Sequence, residues 1–125
     1  MAKYHYNVYP IYNGGFSYAL DELKDFYRDT DSRFPILIGD AHNRYELKFL
    51  LKSLPENCTY MVLNSNGFSV WVLPSSCSYP GIKYLINNGH IDLNRVSRDV
   101  GYYELPQVLD DLPYNYHYII QRYYE

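Results

Sequence analysis

The chain is short of most things that carry chemistry or charge. It has 2 cysteines, Cys58 and Cys77, 2 methionines and 1 tryptophan in 125 residues. The cysteines are not in Cys-x-x-Cys spacing, which argues against a zinc site. Met1-Ala2-Lys3 leads straight into alternating polar and aromatic residues with no secretion signal, so free thiols in a reducing cytoplasm are expected (a host's, if the chain is viral). Lys and Arg number 11 against 14 Asp and Glu, a net charge of −3. That is too little positive charge for a strongly basic nucleic-acid binder, and direct nucleic-acid binding is not expected. It is also too little negative charge to imitate a phosphate backbone. No apolar run approaches the roughly 20 residues of a membrane span, so no membrane partner is expected.

What the chain has is tyrosine, 17 of them, within 47% hydrophobic and 20% charged residues. This is globular composition. A chain of this length forms one domain, residues 1–125, and buries roughly two thirds of its unfolded surface. Tyrosine combines a large apolar body with a polar tip and is enriched both in strands and where proteins meet partners. A buried hydroxyl needs a partner, so some of the 17 are expected on an exposed surface.

Periodicity divides the chain. Lys3–Tyr9 alternates like a half-exposed strand. Gly14-Gly15 precedes a helix from about Ser17 to Arg28 but lacks the lysine and Ser/Thr of a phosphate-binding loop. Phe34–Ile38 is a continuous apolar run, the pattern of a strand buried on both faces, with Gly39 and Asp40 ending it. Asn43 then caps a helix, with Glu46 in the capping-box position. Leu47, Leu50, Leu51 and Leu54 share its inner face, and Lys48 and Lys52 lie on the other side. Asn66-Gly67 joins two strands, Thr59–Leu63 and Phe68–Leu73; as a two-residue turn it sets Leu63 opposite Val70. Pro80 opens a further helix, capped at Asn88-Gly89. Ile91–Gly101 reads as a short strand or an exposed loop. Leu105, Val108, Leu109 and Leu112 face inward from one or two helical turns, and Tyr114–Tyr124 alternates as a last strand. The expected fold is an α/β (α+β) single-domain sandwich, with a mixed sheet of five or six strands and three or four short helices.

The one polar cluster with chemical promise is Gly39-Asp40-Ala41-His42. A carboxylate and an imidazole beyond the carboxyl end of a strand can point into one crevice and suit Mn, Fe or Zn. Over Ile38–Leu50 the pattern resembles the first motif of the calcineurin-like metallophosphoesterases, which implies a divalent metal held by Asp40 and His42. His90 and Asp92 are the candidate further ligands. That family also carries an Asn-His pair and closing histidines, and this chain has no Asn-His dipeptide. The alternative is that Asp40 and His42 are ordinary loop residues.

Three functions follow. The leading expectation is a small non-enzymatic protein, an inhibitor or adaptor that occludes a larger protein partner and needs no cofactor. By class analogy it is an accessory or anti-defence protein of a bacteriophage or mobile element. Tyr4, Tyr6, Tyr114, Tyr116 and Tyr118 are its expected contact residues, and the Lys3–Tyr9 strand, if at a sheet edge, could pair two copies into a homodimer. The alternatives are a metal-dependent phosphoesterase at Asp40 and His42, and a small-ligand or nucleotide sensor with a tyrosine-lined pocket near Gly39.

Overall fold

The computed structural model describes residues 4–12, 19–53, 59–74, 78–113 and 115–124. Gly14, Gly15, Leu54, Cys58, Cys77 and Tyr114 lie outside them. The elements in chain order are β1 (Tyr4–Tyr12), α1 (Ala19–Tyr27), β2 (Ile36–Ala41), α2 (Arg44–Ser53), β3 (Thr59–Asn64), β4 (Phe68–Leu73), α3 (Ser78–Asn87), a 3₁₀ turn (Leu93–Arg95), β5 (Ser97–Gly101), α4 (Leu105–Asp111) and β6 (Tyr116–Tyr124). They form an α+β domain around one six-stranded sheet, ordered β2-β4-β3-β6-β1-β5.

Every neighbouring pair in the sheet is antiparallel. A mixed sheet was expected because strand–helix–strand segments usually place parallel neighbours. Here β1 and β2 do run the same way, but β4, β3 and β6 lie between them.

Helices cover both faces. Tyr6, Val8, Tyr60, Val62, Tyr118 and Ile120 pack under α2 and α4, with Leu47 and Leu109. Tyr9, Ile11, Met61 and Ile119, the alternate residues of the same strands, pack under α1 and α3, with Leu23, Tyr27, Ile82 and Leu85. Each such side chain contributes about 1.5–3 kcal/mol when fully buried. The tyrosine-alternating strands are therefore interior, not half-exposed. Among the phenols, Tyr9 donates to Gln121 Oε1 at 3.3 Å.

The helix ends follow local chemistry. The Glu46 backbone N–H donates to Asn43 Oδ1 at 2.9 Å. The Glu46 carboxylate reaches back to the His42 N–H at 2.8 Å. Two orphan donors are thus satisfied at the start of α2. α3 ends in a Schellman motif: His90 N–H to Leu85 O at 3.0 Å, Gly89 N–H to Ile86 O at 3.1 Å. Gly89 supplies the φ of 76° that this cap requires.

The β3–β4 turn has three residues, not two. Asn64 faces Phe68, and Val62 faces Val70. Asn66 at φ 53° and Gly67 at φ 118° both take left-handed conformations, which also suits a three-residue loop. The register is one residue away from the expected one, which exchanges the faces assigned to one strand relative to the other.

Candidate functional site

The four candidate metal ligands do not converge. Gly39, Asp40 and Ala41 belong to β2, paired with Val70, Ser69 and Phe68, so they continue the strand rather than end it. Asp40 and His42 are exposed beside the far edge of the sheet. His90 and Asp92 flank Ile91, which bridges to Ile11 on β1. The two pairs share an end of the sheet but stand at least four strand spacings apart, on the order of 19 Å. Metal–ligand bonds span only about 2–2.6 Å. Among the described residues no three His, Cys, Asp or Glu side chains are placed to hold a metal ion. The metal reading is corrected accordingly.

The His90 and Asp92 side chains have structural tasks instead. His90 Nε2 meets Glu22 Oε2 at 2.7 Å, tying the end of α3 to α1. Asp92 is buried. It caps the 3₁₀ turn through Asn94 N–H and accepts the Tyr116 hydroxyl at 2.9 Å. That hydrogen bond, with burial behind it, raises the Tyr116 pKa above the ordinary phenol value.

Two of the five expected tyrosine contacts, Tyr6 and Tyr118, are also corrected. Tyr6 and Tyr118 are each only 2% exposed, because helices cover the face they share. Burial pushes the Tyr118 phenol far above its ordinary pKa, so it stays neutral. Tyr116 is half-buried. The Tyr4 side chain and Tyr114 lie outside the described residues. Nor is β1 an edge strand, since β6 and β5 flank it.

Among the described residues the edges are β2 and β5, and they differ in kind. β5 is short, its register with β1 is interrupted between Tyr6 and Val8, and it carries exposed Arg98 and Asp99. Asp99 at φ 58° turns back to take Asn7 Oδ1 on its N–H and His5 Nδ1 on its carboxylate. Charge, shortness and a bulge are the usual protections of an edge. β2 has a bulge at Ile38, where its register with β4 skips a residue, and one exposed charge, Asp40, near its end. Ile36, Leu37 and Ile38 are 40%, 47% and 37% exposed. The expectation of a strand buried on both faces fails here, because an apolar run reads the same at an edge as in an interior. Beside it, α2 packs close: a Cβ on Gly39 would lie 3.1 Å from the Leu50 methyls. On the solvent side of α2, Tyr45 and Phe49 are 71% and 61% exposed and stack edge to face at 5.2 Å.

A cleft of about 480 Å³ lies on the other side of α2. Its floor is Tyr6, Tyr60, Ile120 and Arg122 from the sheet. Lys48, Leu51 and Lys52 of α2 form one wall; Leu105, Pro106 and Leu109, with Tyr102 and Tyr103 before them, form the other. Arg44 sets the walls apart by hydrogen-bonding the last carbonyls of α4, Leu109, Asp110 and Leu112, at 2.7–3.0 Å. A guanidinium at the negative end of a helix is favourable. The Arg122 guanidinium lies 5.3 Å over the Tyr6 ring and 5.7 Å over that of Tyr60. Lys48 pairs with Asp110 at 2.8 Å. The cleft is lined by tyrosines, as a ligand pocket was expected to be, but it lies over β1, β3 and β6 and not at Gly39.

Sequence reasoning missed this cleft, having placed Lys48 and Lys52 only on the side of the helix away from its apolar face. The adjacent Tyr102-Tyr103 was the one available signal. No helix among the described residues is long and apolar enough to cross a membrane. Comparison with protein-family models, curated proteins and solved structures found no match.

Proposed function

We propose that this is a non-catalytic binding protein, an inhibitor or adaptor, whose β2 edge accepts an extended segment of a larger protein partner. One observation carries the reading: the Ile36–Ile38 run of β2 has the composition of an interior strand and the position of an edge strand. Ile36, Leu37 and Ile38 are consecutive and so address both faces of the sheet. Apolar residues on both faces are the pattern of a strand covered above and below, as interior strands are. Among the described residues β2 has one neighbour, β4.

A strand added outside β2 supplies what is missing. It pairs the outward N–H and C=O groups and covers the apolar side chains, which is recognition by strand addition. Tyr45 and Phe49 give the same partner an aromatic contact on α2, of the residue types that dominate interface energetics. β5, whose exposed residues are Arg98 and Asp99 and whose Val100 is buried, offers no equivalent apolar surface.

A photo-crosslinking amino acid at position 37, compared with one at exposed Lys83 on α3, tests the reading in cells. The expected result is one adduct of defined mass from position 37 and none from 83. No adduct at 37, or equal adducts at both, contradicts it. An adduct of twice the chain mass identifies the partner as a second copy, paired through β2.

A further inference from the structure

We propose that the cleft between α2 and α4 is a separate binding site for a small planar aromatic anion of the nucleoside monophosphate class. Its volume of about 480 Å³ falls within the usual range of small-molecule sites. Its chemistry is divided by wall. Lys48 and Lys52 stand on α2 and Arg122 on the floor beside Tyr6 and Tyr60. The exposed rings stand opposite: Tyr102, and Tyr103 at 92% exposure, held edge to face at 5.3 Å. A ligand that satisfies both sides has a ring at one end and an anion at the other.

The charge balance favours the anion. Three cations and no acid line the cleft among the described residues, with Asp110 just outside it on Lys48. The chain as a whole carries −3, so the cleft is a positive site on a negative protein. Such a site concentrates anions and repels little that is neutral. Arg122, over the rings of Tyr6 and Tyr60, adds a planar cation to the floor of the cleft. Tyrosine faces stack on any nucleobase, and Ile120, Leu51 and Leu109 provide an apolar base for the ring.

The test is titration of the ¹⁵N-labelled protein with each of the four ribonucleoside monophosphates, with adenosine and inorganic phosphate as half-ligands. The expected result is that at least one nucleotide shifts amides of 48–52 and 102–106 and binds at least about tenfold tighter than either half-ligand. Lys52→Glu and Tyr103→Ala, both at exposed positions, each weaken it by about tenfold with the melting temperature unchanged. Lys83→Glu has no effect. Leu37→Lys also has no effect, so this site and the β2 edge succeed or fail independently. No nucleotide binding at about 1 mM, binding that survives both cleft substitutions, or phosphate binding as tightly as a nucleotide overturns the proposal. Tighter binding of a 5′-phosphorylated single-stranded oligonucleotide than of any mononucleotide overturns it in favour of nucleic acid.

Discussion

Replacing Leu37 with lysine separates binding from folding. Fully burying an Ile or Leu side chain is worth about 1.5–3 kcal/mol. Ile36, Leu37 and Ile38 still expose 40%, 47% and 37%. A partner strand that covers them therefore recovers roughly 2–4 kcal/mol, of which Leu37 holds about 1. Lysine forfeits that share and adds the cost of desolvating an ammonium group, for a total of about 2–3 kcal/mol, or roughly 30- to 150-fold in Kd. Folding has less at stake. The lysine stem lies along the strand with its charge in water, and edge lysines are well tolerated, so stability falls by no more than about 1 kcal/mol. Leu73→Ala provides the contrast: that residue is 0% exposed, and its loss costs about 2–5 kcal/mol of stability. Urea denaturation measures the first quantity, and titration against the partner captured at position 37 measures the second. An affinity within about threefold of wild type would refute the reasoning, as would a stability loss like that of Leu73→Ala.

Two further predictions test the packing and electrostatics that hold the sheet. Gly81→Ala in α3 should destabilise by roughly 1 kcal/mol, although alanine normally gains about that much over glycine in a helix. The new Cβ would overlap the Tyr27 hydroxyl and lie 3.2 Å from Leu23 Cδ2. In a Tyr27→Phe background the cost should shrink in a double-mutant cycle, and an equal cost in both backgrounds would contradict the contact. His117 is buried, and burial holds its pKa below 6.5. Its Nδ1 accepts the Asn64 N–H at 2.8 Å, which requires the unprotonated ring. The unfolded chain takes up this proton first, so stability contributed near neutral pH is lost as pH falls below about 6.5 toward the lowered folded value. Denaturation at about pH 7.5 and 5.5 should show a smaller drop for His117→Gln than for wild type; equal drops would show that His117 is not responsible.

Local signals in the sequence were legible where one side chain settles a backbone choice. Asn43 and Glu46 cap α2, Gly89 ends α3, and Leu109 and Leu112 turn inward, each at its expected position. The β3–β4 register was not legible, because Asn66-Gly67 serves a two- or a three-residue turn equally well. Nor was the exposure of β2, since Ile36–Ile38 fits an interior strand and an unpartnered edge alike. Gly39-Asp40-Ala41-His42 suggested chemistry because a strand end was placed before Gly39, whereas the pairing with β4 continues to Ala41. The cleft depends on Lys52, Tyr103 and Arg122 meeting from three distant segments, a tertiary fact that no local pattern carries.

The most direct measurement of the edge reading is amide hydrogen exchange along β2, with and without the partner captured at position 37. Alternate N–H groups of Ile36–Ala41 point away from β4. The account predicts that these outward amides become strongly protected in the complex, while those of β5 keep their free rates. Unchanged exchange along β2, with protection appearing elsewhere, would contradict strand addition at this edge.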